Sequence, residues 1–337
     1  MSFFSKKATF SLLVYHLPHR QRVRKMCAMA DSAVTTFEPI TPADLRDLAV
    51  TMAVNAAQLV AQRRAELLAE DTTDNAAALG QQLKTTECDP VTIVDQENEK
   101  VLREFLTRVR PYDSILGEEG GGEVLTGDEN AVTWVLDPID GTVNFLYGIP
   151  AYSVSIAAAI NGKVVAGAVA NIVASEIFSA HRGGGASVIS VEQAQADPSS
   201  ARTAPRLHCN DPESLGVTLL GTGFSYTSSK RALQGALFSQ VISHVRDIRR
   251  LGSAALDLCF VAAGRLDAYY EHGLHPWDRA AGGIIAQEAG AVTVIPDPAE
   301  IGHMGTLNYA VAPSVAQEFV NMMEAAGGLQ PMPLLKK

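Results

Sequence analysis

At 337 residues and 47% hydrophobic side chains, the chain is long enough for one large domain or two medium ones, which excludes disorder throughout. Its 27 Lys and Arg against 37 Asp and Glu give a formal charge of −10, which argues against nucleic acid as the main partner, because phosphate backbones are bound by basic surfaces. Cys27, Cys88, Cys209 and Cys259 are widely scattered and make no Cys-x-x-Cys pair, arguing against a zinc knuckle or disulfide framework and fitting a reducing cytoplasm.

The first 30 residues carry six Lys and Arg (Lys6, Lys7, Arg20, Arg22, Arg24 and Lys25) and no Asp or Glu, around a short apolar run from Phe10 to Tyr15. That run falls well below the ~18 apolar residues of a membrane span and leads into Arg-rich sequence instead of a small-residue cleavage site. Residues 1–38 are therefore expected to be a disordered basic extension, or sequence upstream of a start at Met26 or Met29.

Thr41-Pro42-Ala43-Asp44 is a capped helix start, and Leu45, Leu48, Ala49, Met52, Ala53, Ala56, Leu59 and Val60 follow at helical spacing to about Ala69. A second helix is expected from Asp95 through Val101, Leu102, Phe105 and Leu106 to Val109, with Pro111 ending it. β-rich runs come next, at 132–136, 152–160 and 163–172, the last two joined by the hairpin turn Asn161-Gly162, so part of this sheet should be antiparallel. Residues 182–214, with Gly183-Gly184-Gly185 and then Ala, Asp, Pro and Ser, read as loops around one short strand and mark a division between two halves. Beyond them, strands at 217–221, 266–270 and 291–295 alternate with helices at 231–244, 253–263 and 278–289, an α/β pattern.

Chemistry concentrates in residues 134–145. Trp134-Val135-Leu136 suits a buried strand that Pro138 is expected to stop, placing Asp137 and Asp140 at its end, where α/β sheets bind ligands. Two hard oxygen donors at one point favour Mg²⁺ or Mn²⁺ over zinc. Gly141-Thr142 lets the backbone approach a bound group, and a helix starting there would aim N–H groups at a phosphate. Together these features point to phosphoryl transfer or hydrolysis. Further carboxylates flank sharp turns: Glu118-Glu119 after Ser114-Ile115-Leu116, and Asp278 at the start of an apolar helix. Alone, the first pair reads as a solvated acidic turn and Asp278 as a helix cap. His272 and His275 lack a third nitrogen or sulfur ligand nearby, so structural roles are expected. Arg246, Arg249 and Arg250 read as an interface or salt-bridge patch. Neither a P-loop nor a Gly-x-Ser-x-Gly elbow occurs.

In combination, Gly117-Glu118-Glu119, the run Asp137-Pro138-Ile139-Asp140-Gly141-Thr142-Val143-Asn144-Phe145, and Trp277-Asp278-Arg279-Ala280-Ala281-Gly282 resemble the three metal-site motifs of the inositol monophosphatase family, in the family's order. Asp89 to Asp95 resembles the family's Thr-x-x-Asp element, and Leu251 to Ala255 with Asp267 to Glu271 its substrate region, so the likeness runs from about residue 41 to 320. The resemblance implies a layered α-β-α-β-α sandwich of the sugar-phosphatase type, α/β (α+β) in class. Its halves would be residues 39–180, with a large, mainly antiparallel sheet and the metal site, and 181–330, with the substrate-binding residues.

The same resemblance implies that Glu118, Asp137 and the Ile139 carbonyl hold one Mg²⁺, and Asp137, Asp140 and Asp278 a second. A third, weaker Mg²⁺ is implied near Glu118, with Mn²⁺ as an implied substitute. Thr142, hydrogen-bonded to Asp95, is implied to orient or activate the attacking water with Glu118. The Gly141 and Thr142 amides would hold phosphate oxygens, Glu271 would read inositol hydroxyls and Ala254 would touch the ring. Lys84 resembles a basic residue at the site mouth, with a solvated surface lysine as the even alternative. The implied activity is Mg²⁺-dependent hydrolysis of myo-inositol 1-phosphate by in-line attack of an activated water, sensitive to Li⁺, in a cytoplasmic homodimer with no nucleic-acid or membrane partner. Two alternatives stay open: a broader phosphatase acting on fructose 1,6-bisphosphate, histidinol phosphate or nucleotide 3′-phosphates, and a regulatory binding protein. Gly221-Thr222-Gly223-Phe224-Ser225 takes no role in this reading.

Overall fold

The computed structural model describes residues 40–69, 75–84, 90–300 and 305–332, so the basic extension, Asp89, Cys27 and Cys88 lie outside the described residues. The first helix, α1 (Pro42–Leu68), starts as its sequence dictates: Thr41 Oγ1 accepts from the Asp44 amide at 3.2 Å, and the Asp44 carboxylate accepts back from the Thr41 amide at 3.3 Å. Its expected apolar face is buried at Leu45, Ala49, Met52, Ala53, Ala56 and Val60, while Leu48 and Leu59 are half-buried. The second helix, α2 (Ile93–Val109), begins two residues earlier than expected, because Thr92 is its N-cap and Asp95 closes a second capping box.

Six strands follow in spatial order of the chain: β1 (Ser114–Gly117), β2 (Val132–Asp140), β3 (Ser153–Ile160), β4 (Lys163–Asn171), β5 (Glu176–His181) and β6 (Gly185–Ser190). Only the β1–β2 pair is parallel; the β3–β4 hairpin closes through Asn161 and Gly162, both with positive φ, as the turn chemistry requires. Pro138 does not end β2, contrary to expectation. The strand runs to Asp140 through a register shift in which Pro138 and Ile139 face a single residue of β3, and a bulge is where a strand tolerates a residue without an N–H.

Period-two alternation gives this sheet two covered faces. Trp134, Leu136, Val154 and Ile156 pack with α1 and α2, whereas Val135, Ala157, Val169 and Phe178 pack with α6 (Ala254–Ala262) and α7 (Pro276–Glu288). On the far side of these two helices lies a second sheet, ordered β8-β7-β9-β11-β10, built from β7 (Leu219–Thr222), β8 (Asp247–Arg249), β9 (Ala268–His272), β10 (Val292–Val294) and β11 (Leu307–Val311). Tyr269 and Ala310 face α6, while Tyr270, Tyr309 and Val311 pack on α5 (Ser228–Val241) and α8 (Ala316–Ala325). The result is the α-β-α-β-α sandwich. Strands β8 and β11 and helix α8 go beyond the elements expected from the sequence.

The segment 182–214 is also more ordered than its composition implied. It holds β6, then α4 (Val191–Ala196) with a Ser190–Gln193 capping box, then a short 3₁₀ turn at Pro198–Arg202. Arg46 of α1 pins this turn from the core: 1% exposed, its guanidinium donates to Ser179 Oγ and O, to Ser187 Oγ, and to the Ala201 carbonyl at 2.9 Å. Burial lowers its pKa to about 10. Among the described residues no helix is long and apolar enough to cross a membrane. The loop helix after β2 is α3 (Thr142–Tyr147).

Candidate active site

Three loops at the ends of β1, β2 and the start of α7 bring the carboxylates together. Glu118 and Glu119 follow β1, and their turn is shaped by α2: Glu99, almost wholly buried, accepts from the Glu119 amide at 2.7 Å and the Gly120 amide at 2.8 Å. Beside it, Asn98 Nδ2 donates to the Pro138 carbonyl at 2.8 Å, so one helix fixes both the Glu118 turn and the β2 bulge. The bulge presents Asp137, whose Oδ1 accepts from the Ile139 amide at 3.1 Å. Asp140 is held by Ser253 Oγ at 2.6 Å and the Ala255 amide at 2.8 Å, both from the start of α6, which sets Ala254 beside it. Asp278 occupies the third position of α7 instead of its cap; its carboxylate accepts from the His275 amide at 2.7 Å.

Lys84 is drawn into this cluster: its ammonium lies 2.7 Å from Glu118 and 2.5 Å from Glu119. That contact removes the solvated-lysine alternative. Asp95, fully buried, accepts from the Thr92 amide and hydroxyl, and from Thr142 Oγ1 at 3.0 Å. The Thr142 hydroxyl also lies 3.0 Å from the Ile139 carbonyl. Gly141 joins β2 to α3 with φ +94°, and a Cβ there would lie 3.0 Å from the Ala151 carbonyl and 3.1 Å from that of Gly252, so only glycine fits. Asn144 secures the same corner, its amide donating to Ala151 O and Leu251 O at 2.6 and 2.7 Å.

The electrostatics of the cluster are those of acids with too few cations. Burial, then the charges of Glu118, Asp140 and Asp278, push Asp137 well above the usual carboxylate range. Burial raises Glu118 to about 8 despite Lys84 beside it, and burial with Asp278 raises Asp140 to about 7. Asp95 rises to about 6, chiefly by burial. An all-oxygen donor set under mutual repulsion is the chemistry a hard divalent cation satisfies, and the Ile139 carbonyl has a second lone pair beyond the one facing Thr142. Among the described residues no three acidic, His or Cys side chains close on one point as metal ligands do; Lys84 bridges the Glu118 pair instead. The oxygen chemistry suits such a cation, and in this structure Lys84 holds Glu118 and Glu119 together.

Glu271, at the end of β9, shares this field: burial, and then the charges of Asp278 and Asp140, raise it to about 7. The two histidines are structural. His272 Nε2 meets the Gly328 carbonyl at 2.8 Å, and His275 stacks on Trp277 at 4.9 Å. Cys209 and Cys259 are free thiols. Sequence reasoning gave no role to Glu99, Asn98 or Ser253, although Ser253 lies within the Leu251 to Ala255 stretch of the resemblance; Thr92 was signalled only as part of the Thr-x-x-Asp likeness.

The model of the inositol monophosphatase family matches residues 42–322. The inositol-1-monophosphatase of Mycobacterium leprae is 49% identical over 86% of this chain and 97% of its own length. The Nus factor SuhB of Pasteurella multocida is 36% identical over 72% of this chain and 85% of its own. The solved structure of Mycobacterium tuberculosis SuhB superposes with a TM-score of 0.69 at 42% identity, covering 86% of this chain and 99% of that one. The chain belongs to the inositol monophosphatase family.

Proposed function

We propose that this protein is a divalent-cation-dependent phosphomonoesterase that hydrolyses myo-inositol 1-phosphate to inositol and phosphate, with water as the nucleophile. The observation that carries this reading is the buried Asp95–Thr142 pair beside the Asp137 bulge: the Thr142 hydroxyl has Asp95 and the Ile139 carbonyl as acceptors, each at 3.0 Å, and a hydroxyl whose proton points inward can accept a hydrogen bond from a water and orient it. Above its pKa of about 6 Asp95 is ionised, so it draws the Thr142 proton inward and leaves the Oγ1 lone pairs outward. Glu118, freed from Lys84, is the second acceptor for the water's proton. The Gly141 and Thr142 amides are the donors for phosphate oxygens, and Glu271 with Ala254 forms the alcohol end. Mg²⁺ or Mn²⁺ held by Glu118, Asp137, Asp140, Asp278 and the Ile139 carbonyl would supply Lewis-acid stabilisation of the phosphoryl group and a lowered water pKa. A cytoplasmic homodimer inhibited by Li⁺ belongs to the same reading.

The test is phosphate release across a panel of phosphomonoesters, with Mg²⁺, Mn²⁺ or chelator. Hydrolysis of inositol 1-phosphate that needs the cation and is preferred over fructose 1,6-bisphosphate supports the proposal; no release from any ester with either cation refutes it. The name of the Pasteurella relative favours a second reading, a regulatory role. If cells carrying an inactive Asp137→Asn variant keep the protein's biological function, that second reading prevails.

A further inference from the structure

The Gly221-Thr222-Gly223 segment, without a role in the sequence reading, ends β7 beside the end of β9, where parallel strands present ligand-binding residues. Tyr269 and Glu271, two apart on β9, share one face. The Tyr269 hydroxyl donates to Glu271 Oε2 at 2.7 Å, and Tyr269 itself is fully buried. On the other side, a Cβ at Gly223 would lie 1.7 Å from Glu271 Oε2 and 2.6 Å from Oε1, so the carboxylate rests directly on the bare backbone.

Glu271 needs such a hold. The charges acting on it are those of Asp278 and Asp140, which repel, and Arg250, which attracts. Asp257 of α6, 1% exposed and with Oδ1 unpaired, adds a further carboxyl close by, packed against Gly221 at 3.1 Å from the position of a Cβ there. An untethered glutamate would swing toward Arg250 and away from a neutral ligand. We infer that Tyr269, with Gly223 opposite, is the positioning device that makes Glu271 a reader of polyol hydroxyls: the phenol engages Oε2, the missing side chain at Gly223 gives the carboxylate its place, and Oε1 is left for the substrate. This rests on the substrate reading above.

The experiment compares kcat/KM for inositol 1-phosphate with that for phenyl phosphate, which has no hydroxyl to read. Tyr269→Phe keeps the ring and removes the donor. The ratio of the two values should fall about tenfold, through KM for the inositol ester, as expected for one hydrogen bond to a charged group. In a Glu271→Gln background the same change should leave the ratio where Glu271→Gln alone put it. Gly223→Ala, which displaces the carboxylate by crowding, should lower the ratio in the same direction and carries the test if Tyr269→Phe fails to fold. An unchanged ratio in the folded variants, or an additive loss in the double variant, overturns the inference. A wild-type enzyme that prefers another polyol phosphate removes the substrate reading alone, because Tyr269→Phe must then discriminate that ester from phenyl phosphate.

Discussion

Asp137 is the residue on which most of the site's charge converges. Burial and three neighbouring acids act on it, and against them stands a hydrogen bond from the Ile139 amide at 3.1 Å. Asp137→Asn should lower kcat at saturating Mg²⁺ by more than about 100-fold, since a donor to an ion is lost along with its charge. The same change relieves repulsion in the cation-free protein and should raise its melting temperature by roughly 1–2 °C, about 1 kcal/mol in a domain of this size. Near-normal turnover, or a lower melting temperature without cation, would contradict the placement of Asp137. Thr142→Val should cost activity far more than it changes cation affinity, checked by kcat and Mg²⁺ titration of the same sample, because its hydroxyl meets Asp95 and the Ile139 carbonyl but no carboxylate of the acidic cluster. At this scale the sequence was most legible, because short contiguous motifs name the acids that lie after β1, at the end of β2 and in the first turn of α7. What it hid were their holders. Ser253 and Glu99 sit 113 and 20 residues from the groups they bond, a separation that no local pattern encodes.

Among the elements, α2 is the framework of the site. Its first turn delivers Asp95, its second delivers Asn98 to Pro138 O and Glu99 to the Glu119 and Gly120 amides, and Arg103 locks Glu99 at 2.7 Å. Removing the charge from an acceptor shared by two part-buried amides costs about 1.5 kcal/mol, the low end for hydrogen bonds to charged groups. Glu99→Gln should therefore loosen the turn that carries Glu118 and raise the Mg²⁺ concentration for half-maximal activity several-fold. An unchanged Mg²⁺ profile would mean that β1 holds the turn alone. Elements with a clear period or cap, α1 and the β3–β4 hairpin, were readable in advance. The bulge in β2 was not: Pro138 reads as a strand stop unless the partner's register is known, and only β3 shows that two residues there face one. Strand β8 was equally hidden, since three residues at a sheet edge, Asp247 to Arg249, carry no alternation to detect.

Across the whole molecule, the site sets the pH response of the fold. Glu118, Asp140, Glu271 and Asp95 are raised to about 8, 7, 7 and 6, above their values in an unfolded chain. An acid raised on folding binds its proton more tightly in the native state, so its contribution is fully present below the unfolded pKa and is lost as pH rises through the folded one. Cation-free protein should thus lose stability steadily from about pH 4 to pH 8, the window those shifts define. Mg²⁺ should restore more at pH 8 than at pH 6, because the ionised cluster is its ligand. Thermal melts at four pH values, with EDTA or Mg²⁺, check both slopes; a cation-free melting temperature that rises over this window would show that the cluster does not dominate. The layering itself was legible only through resemblance, because the alternation that builds two-faced sheets looks alike in many sandwiches.

Arg46 sets a practical limit on dissecting the chain. A guanidinium stays protonated at physiological pH, so each of its acceptors must be present when the core closes, and leaving it bare would cost about 3–5 kcal/mol. Two of those acceptors, Ser187 and Ala201, lie beyond residue 180, the boundary the sequence suggested between the halves. A fragment cut there would enclose a charge it cannot satisfy. The shortest N-terminal piece able to fold by itself must reach past Ala201, and any split-protein or permutation scheme has to keep Arg46 and the 198–202 turn on one polypeptide.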